Sequence, residues 1–191
     1  MAGMAVRANN TTDRLLADSF KELAQIKPVE KITIKEITDK AGVIRPTFYN
    51  HFQDKYELLE WIIRTEVLEP TYPLIHNGLA NQALLLIFTC MEHEKPFYSR
   101  ISRMDGPITF EELVAKCIKE FFVRIIKEAQ IKDLELFPFV TEEVLAEYYA
   151  KSMIFSVKIW IQQGMNVPPQ KMADLYEYLM NHSLEDILHG V

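Results

Sequence analysis

Residues 33–58 constrain the fold of this chain more than any other stretch, because they carry the start and stop signals of two short helices. Thr33 is followed three residues later by a glutamate, and this capping-box pattern predicts a helix that begins directly after Thr33. Gly42 predicts its end, since glycine adopts the left-handed backbone of a tight turn at little cost. Phe48 and Phe52 then lie one turn apart on the inner face of a second helix. The stretch therefore predicts a helix-turn-helix unit.

The outer face of the second helix carries hydrogen-bonding side chains of modest charge, namely Arg45, Thr47, Tyr49, Asn50 and His51. Side chains of this kind suit the edges of a DNA groove. A guanidinium matches guanine and a carboxamide matches adenine, so we expect Arg45 and Asn50 to select bases. His51 is either a phosphate contact or a surface histidine, and its place in the unit favours the contact.

The same stretch resembles the TetR family of bacterial transcriptional regulators. The resemblance rests on the segments Ala41-Gly42-Val43, Thr47-Phe48-Tyr49, His51-Phe52, Asp54-Lys55 and Leu58-Leu59. It implies operator contacts by Thr47, Tyr49 and His51, and a phosphate contact by Lys55 at a helix N-terminus. The full set of expected DNA-binding residues is Thr33, Lys35, Arg45, Pro46, Thr47, Tyr49, Asn50, His51 and Lys55.

Two positions depart from the family pattern. Ile44 stands where the family usually has a capping serine, and Pro46 stands where it often has a small residue. Proline is tolerated in the first turn of a helix, because its missing N–H would be unbonded there in any case. We therefore expect the second helix to form with a poorer cap, and with an altered base preference in its first turn.

The charge distribution is compatible with a local contact to DNA. The 191-residue chain has a formal net charge of −6, yet residues 1–60 hold nine basic and nine acidic residues, whereas residues 61–191 hold twelve basic and eighteen acidic ones. The acidity thus belongs to the second part of the chain. This pattern favours short, local contact with DNA over broad nonspecific coating.

The sequence gives little sign of catalysis, metal binding or membrane insertion. It contains no GxGxxG, GxxxxGK[ST], HExxH or GxSxG pattern, and its six glycines are too few for a phosphate-cradling loop. Cys90 and Cys117 lack CxxC spacing, which indicates core thiols, and neither a metal nor a cofactor is expected. The longest apolar stretches fall well short of the ~20 residues that span a bilayer. We expect a cytoplasmic protein that is not an enzyme.

We predict an all-α chain of two domains. Residues 1–55 form a three-helix DNA-binding domain, whose first helix begins at Thr11 or Thr12 and ends before Pro28. Arg7 lies in an amino-terminal arm that is either a frayed tail or a DNA contact. Residues 56–191 form a helical effector and dimerisation domain, joined to the first by a long helix from Asp54 toward Pro70. That helix is either a mechanical link or a rigid connector.

The second domain contains more apolar helix surface than a small monomer can cover. Residues 153–161 are apolar on nearly every face, and residues 172–180 add a second stripe at helical spacing. We therefore expect a homodimeric four-helix bundle, unless the tail residues Leu184, Ile187 and Leu188 cover the extra face. The predicted interface residues are Met153, Ile154, Val157, Trp160, Ile161, Met172, Leu175, Tyr176 and Leu179.

Aromatic side chains of the second domain are candidates for an effector cavity, with ordinary core as the alternative. The candidates are Phe88, Phe97, Tyr98, Phe121, Tyr148 and Tyr149. The segment from Tyr148 to Met165 is similar to a TetR branch that regulates dihydroxyacetone kinase genes and includes activators that use a protein coactivator.

These patterns predict a regulator that binds a palindromic operator as a homodimer and responds to a small molecule, more often a repressor by family habit. The alternative is an activator whose acidic helical domain docks a protein coactivator. A tyrosine-lined cavity favours the first hypothesis, and a shallow exposed apolar groove favours the second.

Overall fold

The computed structural model describes residues 11–129 and 139–189, apart from the side chain of Leu184. Across these ranges the chain forms helices and turns, and the only strand-like pairing is an isolated bridge between Asp105 and Thr109. The prediction of an all-α fold is confirmed. The expectation for Arg7 concerns a position outside the described residues.

The helices follow one another with short connections. In chain order they are α1 (Thr11–Ile26), α2 (Ile34–Ala41), α3 (Arg45–His51), α4 (Lys55–Ile62), α5 (Tyr72–His76), α6 (Ala80–His93), α7 (Lys95–Ile101), α8 (Phe110–Ala129), α9 (Glu142–Gln162), α10 (Pro169–Asn181) and α11 (Leu184–His189). A 3-10 turn at Val29–Lys31 lies between α1 and α2, and a second one at Glu69–Thr71 precedes α5.

The predicted helix starts in the DNA-reading unit are present. The Thr33 hydroxyl accepts from the Glu36 amide, and the Glu36 carboxylate accepts from the Thr33 amide at 2.9 Å, which completes the capping box. Gly42 has a φ of 69°, the left-handed conformation expected at the turn. Helix α3 begins after Ile44 without a side-chain cap, as the sequence predicted. Asp54 caps α4 by accepting from two backbone amides.

The long linking helix differs from its prediction. Regular α-helix ends at Ile62, and Ile63–Leu68 continues as a π-helical segment before the 3-10 turn at Glu69–Thr71. A π-helical turn is wider than an α-helical one and commonly marks functional sites. The correction therefore places an irregular segment where the two parts of the molecule meet.

The second part of the molecule is built on two helix pairs, α8 with α9 and α6 with α10. Thr109 and Glu112 form a reciprocal capping box at the start of α8, and Thr141 caps α9 by accepting from the Val144 amide. Both caps follow patterns in the sequence, because Thr109 is followed three residues later by Glu112 and Thr141 is followed directly by two glutamates. Gly164, with a φ of 82°, lies in the turn after α9.

One apolar core runs through both parts of the chain. It extends from Leu16 in α1 through Phe20 and Phe97 to Trp160 in α9. Phe20 and Phe97 form an edge-to-face pair, with ring centroids 6.4 Å apart and planes at 81°. Because Phe97 is fully buried against α1, it belongs to the junction between the two parts.

This junction leads to a stability prediction. Phe97→Ala should lower the free energy of unfolding by about 3–5 kcal/mol, because it removes a buried aromatic ring and leaves a cavity. Urea unfolding followed by circular dichroism measures the loss, which should appear in one cooperative transition. The matched control is Phe139→Ala, since Phe139 is 77% exposed and its truncation should cost less than about 0.5 kcal/mol. Two separate transitions in the Phe97 variant would contradict a shared core.

Candidate DNA interface and effector cavity

Helix α3 presents a compact polar face to solvent. Arg45, Pro46, Tyr49 and Asn50 are exposed, whereas Phe48 is fully buried and anchors the helix. The Arg45 guanidinium donates to the Tyr49 hydroxyl at 3.0 Å and lies 5.5 Å from the centre of the Tyr49 ring. Thr47 is half-buried. The structure thus brings the predicted base-selecting and backbone-contacting side chains together on one face.

An apolar residue also belongs to this face. Ile44 precedes α3 and is 69% exposed, although it is a large hydrophobic side chain. An exposed aliphatic group beside groove-reading residues is suited to contact with a thymine methyl group. From the sequence, Ile44 was expected only to weaken the helix cap. The sequence signal for this role was the apolar side chain of Ile44, since the residue that caps a helix N-terminus is normally polar.

His51 is held by the first helix of the unit. Its Nδ1 lies 2.7 Å from Oδ1 of Asp13, a carboxylate that is only 2% exposed. The contact joins the end of α3 to α1 and fixes the orientation of the imidazole. Asp13 was not identified from the sequence, because no local pattern connects residues so far apart in the chain.

Two predicted residues of α2 lie at the surface. The Thr33 side chain is occupied in the capping box described above. The Lys35 ammonium donates to Asp39 at 2.6 Å, and this hydrogen bond raises the pKa of Lys35. Both residues are exposed at the start of α2, at the end opposite the turn that leads to α3.

Lys55 has an internal role that differs from the prediction. Its ammonium donates to the backbone carbonyls of Val29, Glu30 and Ile32 at 2.7, 2.9 and 2.8 Å. Burial lowers the pKa of Lys55 from its ordinary value. In this structure the three N–H groups of the ammonium are directed at carbonyls of the protein. A phosphate contact remains a prediction, and it requires Lys55 to exchange one of these acceptors.

A cavity of ≈ 180 Å³ lies within the second part of the molecule. Side chains from the π-helical segment and from helices α5 to α10 line it, and Tyr98 is the only residue of this lining with a hydroxyl group. The lining contains no charged residue and no amide side chain. Such a wall can bury apolar surface but offers little to a charged or polyhydroxylated molecule.

Three of the six aromatic side chains predicted to line an effector cavity do not line it. Phe88, Tyr98 and Phe121 line the cavity, as expected. Phe97 is buried at the junction with α1, while Tyr148 and Tyr149 are 68% and 43% exposed on α9. The two α9 tyrosines were misplaced because that helix is apolar on nearly every face, which hides its orientation. Met153, Ile154 and Val157, predicted for the dimer interface, instead line this cavity.

Ion pairs of Lys21 connect the cavity wall to the first helix of the DNA-reading unit. Lys21 of α1 donates to Glu66 at 2.7 Å and to Glu94 at 2.9 Å. Glu66 lies in the π-helical segment, and Glu94 directly follows α6, so both carboxylates come from elements that line the cavity. Burial alone would lower the pKa of Lys21, but the two carboxylates outweigh it and raise that pKa above its ordinary value.

The predicted dimer residues are divided between the interior and the surface. Trp160 is 3% exposed and donates its indole N–H to the Val167 carbonyl at 2.8 Å, so it is not an interface anchor. Ile161, Met172 and Tyr176 are likewise buried within the chain. Leu175 and Leu179 are exposed, and their place in a dimer interface remains a prediction. Other apolar side chains exposed on α9 and α10 are Val144, Tyr148, Tyr149, Phe155, Ile159, Tyr178 and Met180.

The two thiols lie against the linking segment. The Cys117 thiol is buried, which raises its pKa to about 12, and burial also raises the pKa of Cys90. Thiols with raised pKa values hold little thiolate and react slowly. Among the described residues, no group of three or more His, Cys, Asp or Glu side chains is arranged to hold a metal ion. No helix within the described ranges is long and apolar enough to cross a membrane.

Two family models match the chain on either side of the junction. Residues 18–62 match the model described as "Bacterial regulatory proteins, tetR family", and residues 80–182 match a model described as "Transcriptional regulator C-terminal region". The second match alone covers more than half of the chain. The first includes the whole helix-turn-helix unit.

Curated relatives point in the same direction. The chain is 33% identical over 99 residues to the HTH-type dhaKLM operon transcriptional activator DhaS of Lactococcus lactis, an alignment that covers 49% of this chain and 50% of that protein. It is 26% identical over 174 residues to the uncharacterized HTH-type transcriptional regulator YxbF of Bacillus subtilis, covering 87% of this chain and 43% of YxbF. The alignments thus span about half or less of these relatives.

Solved structures share the fold. A dihydroxyacetone kinase operon activator DhaS matches with a TM-score of 0.62 at 23% identity, over 88% of this chain and 93% of that one. A Thermus thermophilus FadR, a repressor in complex with lauroyl-CoA, matches with a TM-score of 0.51 at 17% identity, over 88% and 92%. With the helix-turn-helix unit and the helical second part now described, these matches show that the chain belongs to the TetR family of bacterial transcriptional regulators.

Proposed function

We propose that this chain is a homodimeric regulator that binds a partly palindromic operator and is controlled by an apolar small molecule in its cavity. The observation that carries the proposal is the exposed face of α3, where Arg45, Tyr49 and Asn50 stand together on a helix anchored by Phe48. A short helix with polar side chains on its outer face is the element that enters a major groove in helix-turn-helix proteins.

The side chains of this face divide into two roles. Arg45 and Asn50 read bases, because a guanidinium and a carboxamide match the acceptor and donor pattern of guanine and adenine. Thr47, Tyr49 and His51 contact the backbone and set the register, together with Thr33 and Lys35 at the start of α2. Ile44 and Pro46 add apolar contact in the first turn. The pairing of Arg45 with Tyr49 in the structure restricts the guanidinium before DNA arrives.

Selection from a random-sequence DNA pool tests the base-reading role. Arg45→Ala and Asn50→Ala should each relax the selected motif at one position per half-site, at a cost of about 1–3 kcal/mol. Lys35→Ala is the matched control, since loss of a backbone contact should weaken all sequences alike and leave the motif unchanged. If both alanine variants select the motif of the unaltered protein, α3 does not read the operator through these residues.

Dimerisation follows from the exposed apolar surface of α9 and α10. Tyr148, Phe155 and Ile159 are spaced seven and four residues apart and so lie on one face of α9, while Leu175 and Leu179 are one turn apart on α10. Soluble monomers seldom expose a continuous apolar patch of this kind. A second copy of the chain covers it symmetrically and fixes the distance between the two α3 helices. The tail does not cover Phe155, which remains 69% exposed.

Sedimentation of two glutamate variants tests this surface. Phe155→Glu should give a folded monomer with strongly reduced operator binding, because a charge placed in an apolar interface costs several kcal/mol. Trp160→Glu should instead unfold the protein, since Trp160 is buried inside the chain. Gln82→Glu, on an exposed position of α6, adds the same charge outside the patch and should remain dimeric. A Phe155→Glu dimer of unchanged affinity would mean that another surface forms the interface.

The cavity defines the class of effector that fits. A cavity of about 150 Å³ lined by aliphatic and aromatic side chains holds benzene, so ≈ 180 Å³ is enough for a small apolar molecule. With no charged residue in its lining, the cavity cannot repay the cost of desolvating a charged group. We therefore propose an uncharged, mostly apolar effector, with Tyr98 available for one hydrogen bond. The FadR neighbour was solved in complex with lauroyl-CoA, a molecule that carries an apolar acyl chain.

Thermal unfolding with added n-octanol tests the effector class. Octanol at ten times its Kd should stabilise the protein by about 1.4 kcal/mol, a rise in Tm of roughly 3–6 °C. Glycerol at the same concentration should leave Tm unchanged, and octanoate should bind more weakly than octanol. Ala83→Leu places a larger side chain in the cavity and should abolish the rise in Tm with octanol. If octanol raises the Tm of the Ala83→Leu variant as much as that of the unaltered protein, octanol binds outside the cavity.

A second candidate function is activation through a protein coactivator. It is supported by the role of the Lactococcus lactis relative, a transcriptional activator, and by Tyr148 and Tyr149, which are exposed on α9. The apolar cavity with one tyrosine favours small-molecule control, because a docking groove for a protein is shallow and lies at the surface. A promoter reporter carrying the selected operator distinguishes the outcomes: its expression falls with a repressor and rises with an activator.

A further inference from the structure

The loop at residues 102–109, between α7 and α8, touches the DNA-reading unit. The Asp105 amide donates to Oε1 of Glu30 at 3.0 Å. A Cβ added to Gly106 would lie 2.9 Å from the Tyr56 hydroxyl oxygen and 3.4 Å from Cγ of Glu30. Glu30 belongs to the 3-10 turn before α2, and Tyr56 belongs to the first turn of α4. The loop therefore rests on two elements that position the reading helices.

The same two elements are tied together by Lys55. Its ammonium, in the first turn of α4, donates to carbonyls of the 3-10 turn and of Ile32. The 102–109 loop, the 3-10 turn and the start of α4 thus form one connected group of contacts. A displacement of the loop therefore acts on the 3-10 turn, whose carbonyl groups hold the Lys55 ammonium.

The loop is braced internally, so it transmits movement. Met104 and Ser102 are buried, and the Asp105–Thr109 bridge closes the loop on itself. Thr109 is fixed by its capping box with Glu112 at the start of α8. A loop held at this many points moves as a unit with the helices at its two ends.

Both ends of the loop lead into the cavity wall. Tyr98, on α7 before the loop, lines the cavity, and so does Phe110, the first residue of α8 after the loop. A molecule in the cavity contacts these two rings, so its presence bears on the chain at both ends of the loop. The braced loop thus connects the cavity wall, through the chain on either side of it, to the hydrogen bond with Glu30 of the 3-10 turn.

We infer that the 102–109 loop is a coupling contact through which the state of the cavity sets the position of the 3-10 turn, of the first turn of α4 and of Lys55. The inference rests on the proposed control of operator binding by the cavity. It assigns positioning roles to Glu30, Tyr56 and Gly106. A side chain at position 106 would have to displace the Tyr56 hydroxyl. The backbone of Gly106 lies outside the left-handed region, so this close approach, and not backbone strain, favours glycine there.

A pair of variants isolates the contact. Gly106→Ala places a methyl group against the Tyr56 hydroxyl, and Tyr56→Phe removes that hydroxyl. The double variant should therefore relieve the clash that the single variant creates. Tyr56→Phe alone is the control for loss of the hydroxyl.

Hydrogen exchange of the full chain, without ligand or DNA, measures the effect. In Gly106→Ala, amides of residues 29–32 and 55–58 should exchange at least about fivefold faster, because the contact that restrains them is weakened. The double variant should return to within about twofold of the unaltered protein. Faster exchange confined to residues 103–109 would overturn the coupling role. It would also be overturned if exchange in the double variant were as fast as in Gly106→Ala.

Substitutions of Glu30, on the other side of the contact, test whether the Gly106→Ala result reflects only a general loss of folding. Glu30→Ala removes the acceptor of the Asp105 amide, whereas Glu30→Gln keeps an acceptor oxygen in place. The alanine variant should accelerate exchange at residues 103–109 and 55–58, and the glutamine variant should change it less than about twofold. Equal behaviour of the two variants would contradict the role of this hydrogen bond.

Operator affinity separates this inference from the proposed function. For the operator selected by the unaltered protein, Gly106→Ala should change Kd at least about threefold, and Tyr56→Phe should restore it. An affinity that stays within twofold in Gly106→Ala overturns the coupling to DNA binding. If the unaltered protein selects no operator, the proposed function fails, and the exchange data alone then decide whether the loop restrains the reading unit.

Discussion

The orientation of the DNA-reading unit depends on one burial event, the packing of α1 against α7. Phe20 and Phe97 meet edge to face there, inside a core that continues from α1 to α9. Apolar packing is strong but not directional. Direction is supplied beside it by Lys21, whose ammonium reaches two carboxylates from different elements. A lysine that is only 13% exposed is tolerated because both partners are in place, so the junction has one preferred arrangement.

The cavity lies in the same core, and this position gives an occupant influence over the junction. Side chains facing an empty space lack the dispersion contacts that a filled core would give them. The π-helical segment forms part of that wall and also carries Glu66, a partner of Lys21. An occupant changes the junction only to the extent that it binds one arrangement better than another. Two separate connections, through Glu66 and Glu94 and through the 102–109 loop, could carry that difference to the reading unit.

The sequence predicted the features that depend on neighbouring residues. The caps at Thr33, Asp54, Thr109 and Thr141 each need only a side chain and the next turn of backbone, and all four are present. The all-α fold and the exposed face of α3 were also predictable, because α3 is short and its inner residues are aromatic.

Contacts between distant residues left no such signal. The Lys55 ammonium could be placed at a helix start, but nothing near it in sequence marks the carbonyls that it binds. The contacts of Asp13 with His51 and of Asp105 with Glu30 link residues 38 and 75 positions apart. The π-helical segment was missed as well, since its apolar spacing differs little from that of a regular helix over two turns.

Helix α9 shows how polar residues decide the rotation of a helix that is apolar all round. Ser156 lies 2.6 Å from the Tyr176 hydroxyl, and Lys158 pairs with Glu111 of α8. These two side chains, which interrupt the apolar run, therefore face partners within the chain. Trp160 has the same requirement, because its indole N–H needs an acceptor when buried and finds the Val167 carbonyl. Phe155 has no polar atom to satisfy, so it can occupy the outer face, where only another apolar surface can cover it.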